Sequence, residues 1–344
     1  MAASAWRSHL DRLSNGPATP PPGASTFSVN ASDGTILRGK EYGNQEARPV
    51  VLVHGWSGSS RSWGLNVTEL ASKGLRVVTY DQRGHGDSDK PAHGNTVARL
   101  AADLRDVLSS RPDLQNVTLV GASMGVAVIL SYLELFGFAR VSKLIFVDQA
   151  PLQNRVEGWT IGSKGCYDEA SLLEREQHQV REPFPDDSWF GESNLLESSA
   201  TRGLKRGCVS ESVVPFNSTS YRRDHTQLDW RPLLPTLKGL PILNCVGGVS
   251  AVFPEEGCLE IGRLAPSCTS VVFANANHWL YLEEPAKFNN LVIQARLPPS
   301  SHPPGANPLL SCPPCLSRLS TSSRDSAPSP PAAMQKHAGF EKSR

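Results

Sequence analysis

Six short runs of mostly apolar, β-branched residues limit what this chain can fold into more than any other feature. They are Val50–Val53, Val77–Tyr80, Val117–Val120, Leu144–Val147, Ile242–Val246 and Val271–Phe273. A strand with one wet face alternates polar and apolar residues, whereas a continuous apolar run suits a strand covered on both faces. Helix-like stretches lie between the runs, at 95–109, 125–137 and 284–296. Strand and helix patterns in alternation predict an α/β fold, a parallel sheet covered by helices. Hydrophobic residues make up 39% of the 344 positions, enough to build such a core.

The alternation is confined to a body spanning 27–296. Residues 1–26 are rich in Ala, Pro, Ser and Gly and read as a flexible arm. Residues 297–344 hold ten prolines and ten serines in 48 positions. Such a segment buries too little apolar surface to offset the entropy of ordering, so disorder is expected there. Its Cys312-Pro-Pro-Cys315 has no second cysteine or histidine pair beside it and reads as two free thiols. Within the body, about 152–232 contains no strand-like run but carries Trp159, Tyr167, Trp189, Tyr221 and Trp230. A long insertion between two strands is usually functional, and this one is expected to be a cap over the C-terminal edge of the sheet. Its aromatic residues serve equally as a small core of its own.

Charge and cysteine usage exclude several classes. Thirty-four basic against 33 acidic residues leave a net charge of +1, with no field to draw in nucleic acid or an anionic membrane. No stretch approaches the roughly 18 apolar residues of a membrane span. Seven scattered cysteines do not form a disulfide framework, and the N-terminus shows no apolar secretory segment. A reducing, soluble compartment, the cytoplasm, is the expected location. The sequons at Asn66 and Asn116 then carry no sugar.

The chemistry centres on Gly121-Ala122-Ser123-Met124-Gly125. It follows one strand run and opens a helical stretch, the setting a G-x-S-x-G nucleophile elbow requires. A serine hydroxyl needs a base to attack at neutral pH. His278, after the last strand run and before the last helical stretch, is the first candidate. His54 and His85 are alternatives, His85 more simply a packed loop histidine, and His225 has no comparable setting. An oxyanion needs two preorganised N–H donors. Met124, the residue after the nucleophile, supplies one, and Trp56 in the loop after the first run supplies the other. The indoles of Trp56, Trp159 and Trp279 are expected to wall a substrate pocket. Arg222-Arg223-Asp224 reads as a solvated face.

His54-Gly55-Trp56, Asp81-Gln82-Arg83-Gly84-His85-Gly86, Gly121–Gly125 and Asn277-His278-Trp279 together resemble the α/β-hydrolase fold family. Residues 80–94 and 143–151 are most similar to the non-haem haloperoxidase-like serine esterases. The resemblance implies a doubly wound, mostly parallel sheet of eight strands with a helical cap between strands 6 and 7. It also implies a Ser–acid–His triad, and no metal or organic cofactor. Related chemistries that attack epoxides or haloalkanes place Asp where Ser123 stands.

The sequence departs from the family at the acid. Such hydrolases usually carry Asp in the loop after the strand that precedes the histidine strand, where this chain has Ser250. Asp148, at the end of the fourth run, is a replacement that other members use and keeps the order Ser…Asp…His. Glu255 and Glu256 are further candidates, and so is a site with no acid. If Asp148 serves, Ser250→Ala is expected to change ester turnover little. Two functions follow. One is a hydrolase that cleaves an ester, thioester or lactone of a small to medium hydrophobic substrate through an acyl-enzyme. The other is an inactive binding protein on the same scaffold, motivated by Ser250 and by Val126, where a third glycine often follows the elbow.

Overall fold

The computed structural model describes residues 24–165, 167–174 and 215–295. Every apolar run lies in a strand, and two more strands precede them. The strands are β1 (Ser25–Asn30), β2 (Ile36–Tyr42), β3 (Arg48–Val53), β4 (Leu75–Tyr80), β5 (Val117–Ala122), β6 (Val141–Val147), β7 (Ile242–Gly247) and β8 (Cys268–Phe273). They form one eight-stranded sheet in the order β1-β2-β4-β3-β5-β6-β7-β8. β2 pairs antiparallel with both β1 and β4, and every other pairing is parallel.

The N-terminal arm expected over 1–26 ends earlier than its composition implied. Ser25 and Thr26 already pair with Glu41 and Lys40. Ladder hydrogen bonds need only backbone, so an exposed edge strand can begin inside a polar stretch. Residues 1–23, the segment 297–344 and the stretch 175–214 of the expected cap lie outside the described residues.

The helices that pack on the sheet or belong to the insertion include α1 (Val67–Ser72), α2 (Val97–Ser109), α3 (Met124–Phe136), α4 (Pro215–Gln227), α5 (Glu255–Leu264), α6 (Leu280–Glu283) and α7 (Pro285–Gln294). The Thr96 hydroxyl accepts the Arg99 N–H and caps α2, and Gly137 at φ 72° ends α3. Alternate residues of each strand face opposite layers. Val51 and Val53 join the core under α2 and α3, whereas Val50 and Leu52 join the core that includes residues of α1, α6 and α7. Helices on both faces make the sheet doubly wound. α4 belongs to the insertion between β6 and β7.

α4 is fastened to the body at two points. Asp224 accepts the N–H of Val97 at 2.6 Å, at the start of α2, and the Tyr221 hydroxyl donates to the carbonyl of Arg83 at 2.9 Å. The fully buried Arg83 is held in turn by Asp33 and Asp103. The rings of His54, His85 and Tyr221 pack in series at tilted angles, with centroids 5.1 and 5.3 Å apart.

Burial pushes the pKa of His54 down to about 4 and that of His85 to about 3. His225, also on α4, is held to about 3 by burial first and by the neighbouring His278 second. These rings are neutral in the native state, while the unfolded chain protonates them near pH 6.5. Stability is therefore fully present above that pH and falls as acid charges the unfolded histidines first. Each contributes about 1.4 kcal/mol per pH unit, so the three together give a slope of about 4 kcal/mol per unit. Urea unfolding between pH 6 and 4.5 is expected to show this loss, and His85→Gln is expected to remove about a third of the slope. A flat profile in the wild type would contradict the buried neutral histidines.

Candidate active site

The sheet order reverses between β3 and β5. From β3 the chain moves to β4 on one side, then returns to β5 on the other. Loops leaving two such strands diverge and open a crevice at their C-terminal ends. Trp56 lies in the loop after β3, and Ser123 stands at the end of β5.

Ser123 has φ 51° and ψ −120°, a conformation that a residue with a Cβ adopts only under constraint. The constraint comes from close packing around it. A Cβ on Gly125 would lie 2.3 Å from the Val53 carbonyl oxygen, and one on Gly121 would lie 2.6 Å from the Gly125 carbonyl. Only glycine lets β5, α3 and the end of β3 approach this closely. The Ser123 N–H is tied to the Val147 carbonyl at 2.9 Å. α3 begins at Met124, whose N–H belongs to the first turn and has no intrahelical acceptor. Of the four non-glycine residues with positive φ among those described, Ser57, Ser123 and Asp148 surround this crevice.

Asp148 follows β6 directly and is fully buried. Its Oδ1 accepts the Gly247 N–H at 2.9 Å. Its Oδ2 is 2.6 Å from the Ser250 hydroxyl, which donates to it, and 2.6 Å from His278 Nδ1. With Nδ1 committed to the carboxylate, Nε2 is the ring nitrogen left to face a reactant. The histidine loop is fixed by Asn277, whose Oδ1 accepts the N–H groups of Ala251 and His278, each at 2.7 Å. The Phe253 ring packs 5.9 Å from the imidazole.

The structure thus joins Asp148 to His278 and places Ser123 one strand away, bonded through its backbone to the residue before Asp148. Glu255 and Glu256 open α5, and neither is a hydrogen-bond partner of His278. His54 serves the loop after β3. Its Nε2 accepts the Gln82 N–H at 3.0 Å, so Nδ1 carries the proton and donates to the Gly55 carbonyl at 2.8 Å. That bond shapes the backbone next to Trp56. The Ser250 hydroxyl, at the position where an acid was expected, bonds the Asp148 carboxylate directly.

The three indoles separate. Trp56 sits beneath the guanidinium of Arg222, with 4.0 Å from Cζ to the ring centre. Trp159 donates its Nε1–H to the Leu152 carbonyl at 3.1 Å and fastens the start of the insertion. Trp279 packs against Tyr281 and the core on the α6 and α7 side. Two residues that sequence reading set aside also stand at the crevice. Arg222 and His225 are each only 6% exposed. Their three-residue spacing puts them on one face of α4 with Tyr221, but the polarity of that helix hides a buried face. Among the described residues, no group of three or more His, Cys, Asp or Glu side chains could hold a metal ion. No described helix is long and apolar enough to cross a membrane.

A model of the alpha/beta hydrolase family matches residues 50–291. The chain belongs to this family. Among other alpha/beta hydrolases, the AB hydrolase superfamily protein YisY of Bacillus subtilis is 27% identical over 253 residues, covering 72% of this chain and 91% of that protein. A non-heme haloperoxidase of Rhodococcus erythropolis is 32% identical over 154 residues, 43% of this chain and 55% of its own length. An esterase from Exiguobacterium antarcticum superposes with a TM-score of 0.72 at 25% identity, over 78% of this chain and 98% of its own. A bromoperoxidase from Bacillus anthracis gives 0.69 at the same identity, over 78% and 99%. These likenesses place the protein near the haloperoxidase-like esterases within the alpha/beta hydrolases and support a hydrolytic function.

The Ser250 bond has a measurable consequence for this hydrolase. Ser250→Ala removes a buried donor to a carboxylate and is expected to cost about 1.5–3 kcal/mol in urea unfolding at pH 7. A loss below about 0.5 kcal/mol would show that the hydroxyl contributes nothing to holding Asp148.

Proposed function

We propose that the protein is a serine hydrolase that cleaves an ester, thioester or lactone by acyl transfer. The observation that carries this reading is the 2.6 Å contact between Asp148 and His278 Nδ1, on the same sheet edge as the strained Ser123. In the reaction, Ser123 Oγ attacks the substrate carbonyl carbon while His278 Nε2 takes the hydroxyl proton. The carbonyl oxygen becomes an oxyanion, held by the N–H groups of Met124 and Trp56. Collapse of this intermediate breaks the bond to the leaving group, which receives the proton from His278. Water then attacks the acyl-enzyme through the same base and releases the acid. Asp148 fixes the ring orientation and stabilises the imidazolium, without taking the proton itself.

Burial of Asp148 suits this role. The Gly247 amide, the Ser250 hydroxyl, His278 and, at 3.9 Å, the Cys258 thiol replace the water it gave up, and His278 is the donor that becomes charged when the ring takes a proton. The substrate is a small-molecule acyl compound, and no step calls for a metal or an organic cofactor.

A serine-directed fluorophosphonate is expected to label the folded wild type and to leave Ser123→Ala unlabelled. Asp148→Asn is expected to lower turnover of a short p-nitrophenyl ester by about three to four orders of magnitude, as in the serine-protease triad. Absence of labelling on folded wild type would favour a binding protein on a hydrolase scaffold.

A further inference from the structure

The Ser250 hydroxyl has its direction fixed by its own surroundings. The residue is 1% exposed, and its oxygen accepts the N–H groups of Val252 and Phe253, each at 3.3 Å. A serine oxygen has two lone pairs and one proton. With both lone pairs engaged by backbone amides, the proton is left to find an acceptor, and Asp148 Oδ2 lies 2.6 Å away. That distance is typical of a hydroxyl donating to an ionised carboxylate.

The serine is itself held from two sides. From the insertion, Lys164 donates its ammonium to the Ser250 carbonyl at 2.6 Å and its backbone N–H to the Val252 carbonyl at 2.9 Å. From the histidine loop, Asn277 Oδ1 accepts the Ala251 N–H, and the same oxygen accepts the His278 N–H. One amide therefore fixes the loop carrying the hydroxyl to the loop carrying the imidazole.

The Asp148 carboxylate turns about its Cβ–Cγ bond, a torsion with a broad minimum. The Gly247 N–H holds Oδ1 at 2.9 Å, and the Cys258 thiol, a weak donor, is 3.9 Å from the same oxygen. Oδ2 is shared by Ser250 and His278. Without the hydroxyl, the imidazole would be alone in orienting the very oxygen that orients it.

We infer that Ser250 is a positioning residue for acyl transfer, whose hydroxyl keeps Asp148 Oδ2 aimed at His278 Nδ1. It acts through the acid and not on the substrate. This inference rests on the proposed acyl-transfer reaction, and it revises the expectation that Ser250→Ala changes ester turnover little.

The test follows steady-state turnover of p-nitrophenyl butyrate, with urea unfolding to report that each variant is folded. Ser250→Ala is expected to lower kcat by about tenfold to a hundredfold, as when a bond behind a reactive group is lost. KM is expected to stay within about twofold of wild type, because the hydroxyl does not bind the ester. Ser250→Cys fills nearly the same space with a weak donor, so a similar loss is expected, and it remains a test should the alanine variant fail to fold. In the Asp148→Asn background, Ser250→Ala is expected to change kcat by less than about twofold, since its effect runs through the missing carboxylate. A loss of equal size in both backgrounds would overturn the positioning role. So would a folded Ser250→Ala or Ser250→Cys that keeps wild-type kcat while Ser123→Ala and Asp148→Asn lose it, and acyl transfer would then still stand. A wild type that neither labels with fluorophosphonate nor turns over the ester would overturn both.

Discussion

The site depends on one buried carboxylate. Removing Asp148 from water is costly unless every vacated hydrogen bond is replaced. Here a β7 backbone amide, a loop hydroxyl and an imidazole supply the replacement. Two of these donors come from the end of β7 and one from the histidine loop, so the carboxylate knits together the ends of β6 and β7 and the histidine loop. Had the acid stood at position 250, the same imidazole would have been reached from the neighbouring strand. In this protein the charge comes from the end of β6, and the Ser250 hydroxyl supports it.

The parallel core was legible because buried strands announce themselves. All six apolar runs became β3 to β8, and the helices over 97–109, 124–136 and 285–294 lie within one or two residues of the periodic stretches. β1 and β2 gave no such run. Their residues alternate between exposed and covered at the wet end of the sheet, and they entered the expectation only as part of an eight-stranded family resemblance. α1 and α5 are short or polar and carry little periodic signal of their own.

The site was legible where backbone dictates residue type. The Gly121–Gly125 spacing follows from atoms that leave no room for a Cβ, so a pattern of glycines reports the geometry directly. Choosing among carboxylates was harder, because Asp148, Glu255 and Glu256 all follow or flank strands, and only folding brings one of them to Nδ1. Arg222 and His225 were set aside for a related reason. Arg222 belonged to a charge run that reads as a solvated face, and His225 sits on a hydrophilic helix with no apolar stripe to mark its buried side. Trp159 and Trp279 have partners that no sequence pattern announced, the Leu152 carbonyl for the first and the Tyr281 ring for the second.

The left-handed backbones at Ser57, Ser123 and Asp148 carry a consequence of their own. Each is a place where a hydrophilic side chain is tolerated although glycine would relax the chain more easily. Glycine would ease the backbone at each position but would remove the Asp148 carboxylate that ties β6 to β7 and the histidine loop. Serine, serine and aspartate there gather unfavourable backbone conformations at one end of the sheet, so local strain in this fold is concentrated rather than spread.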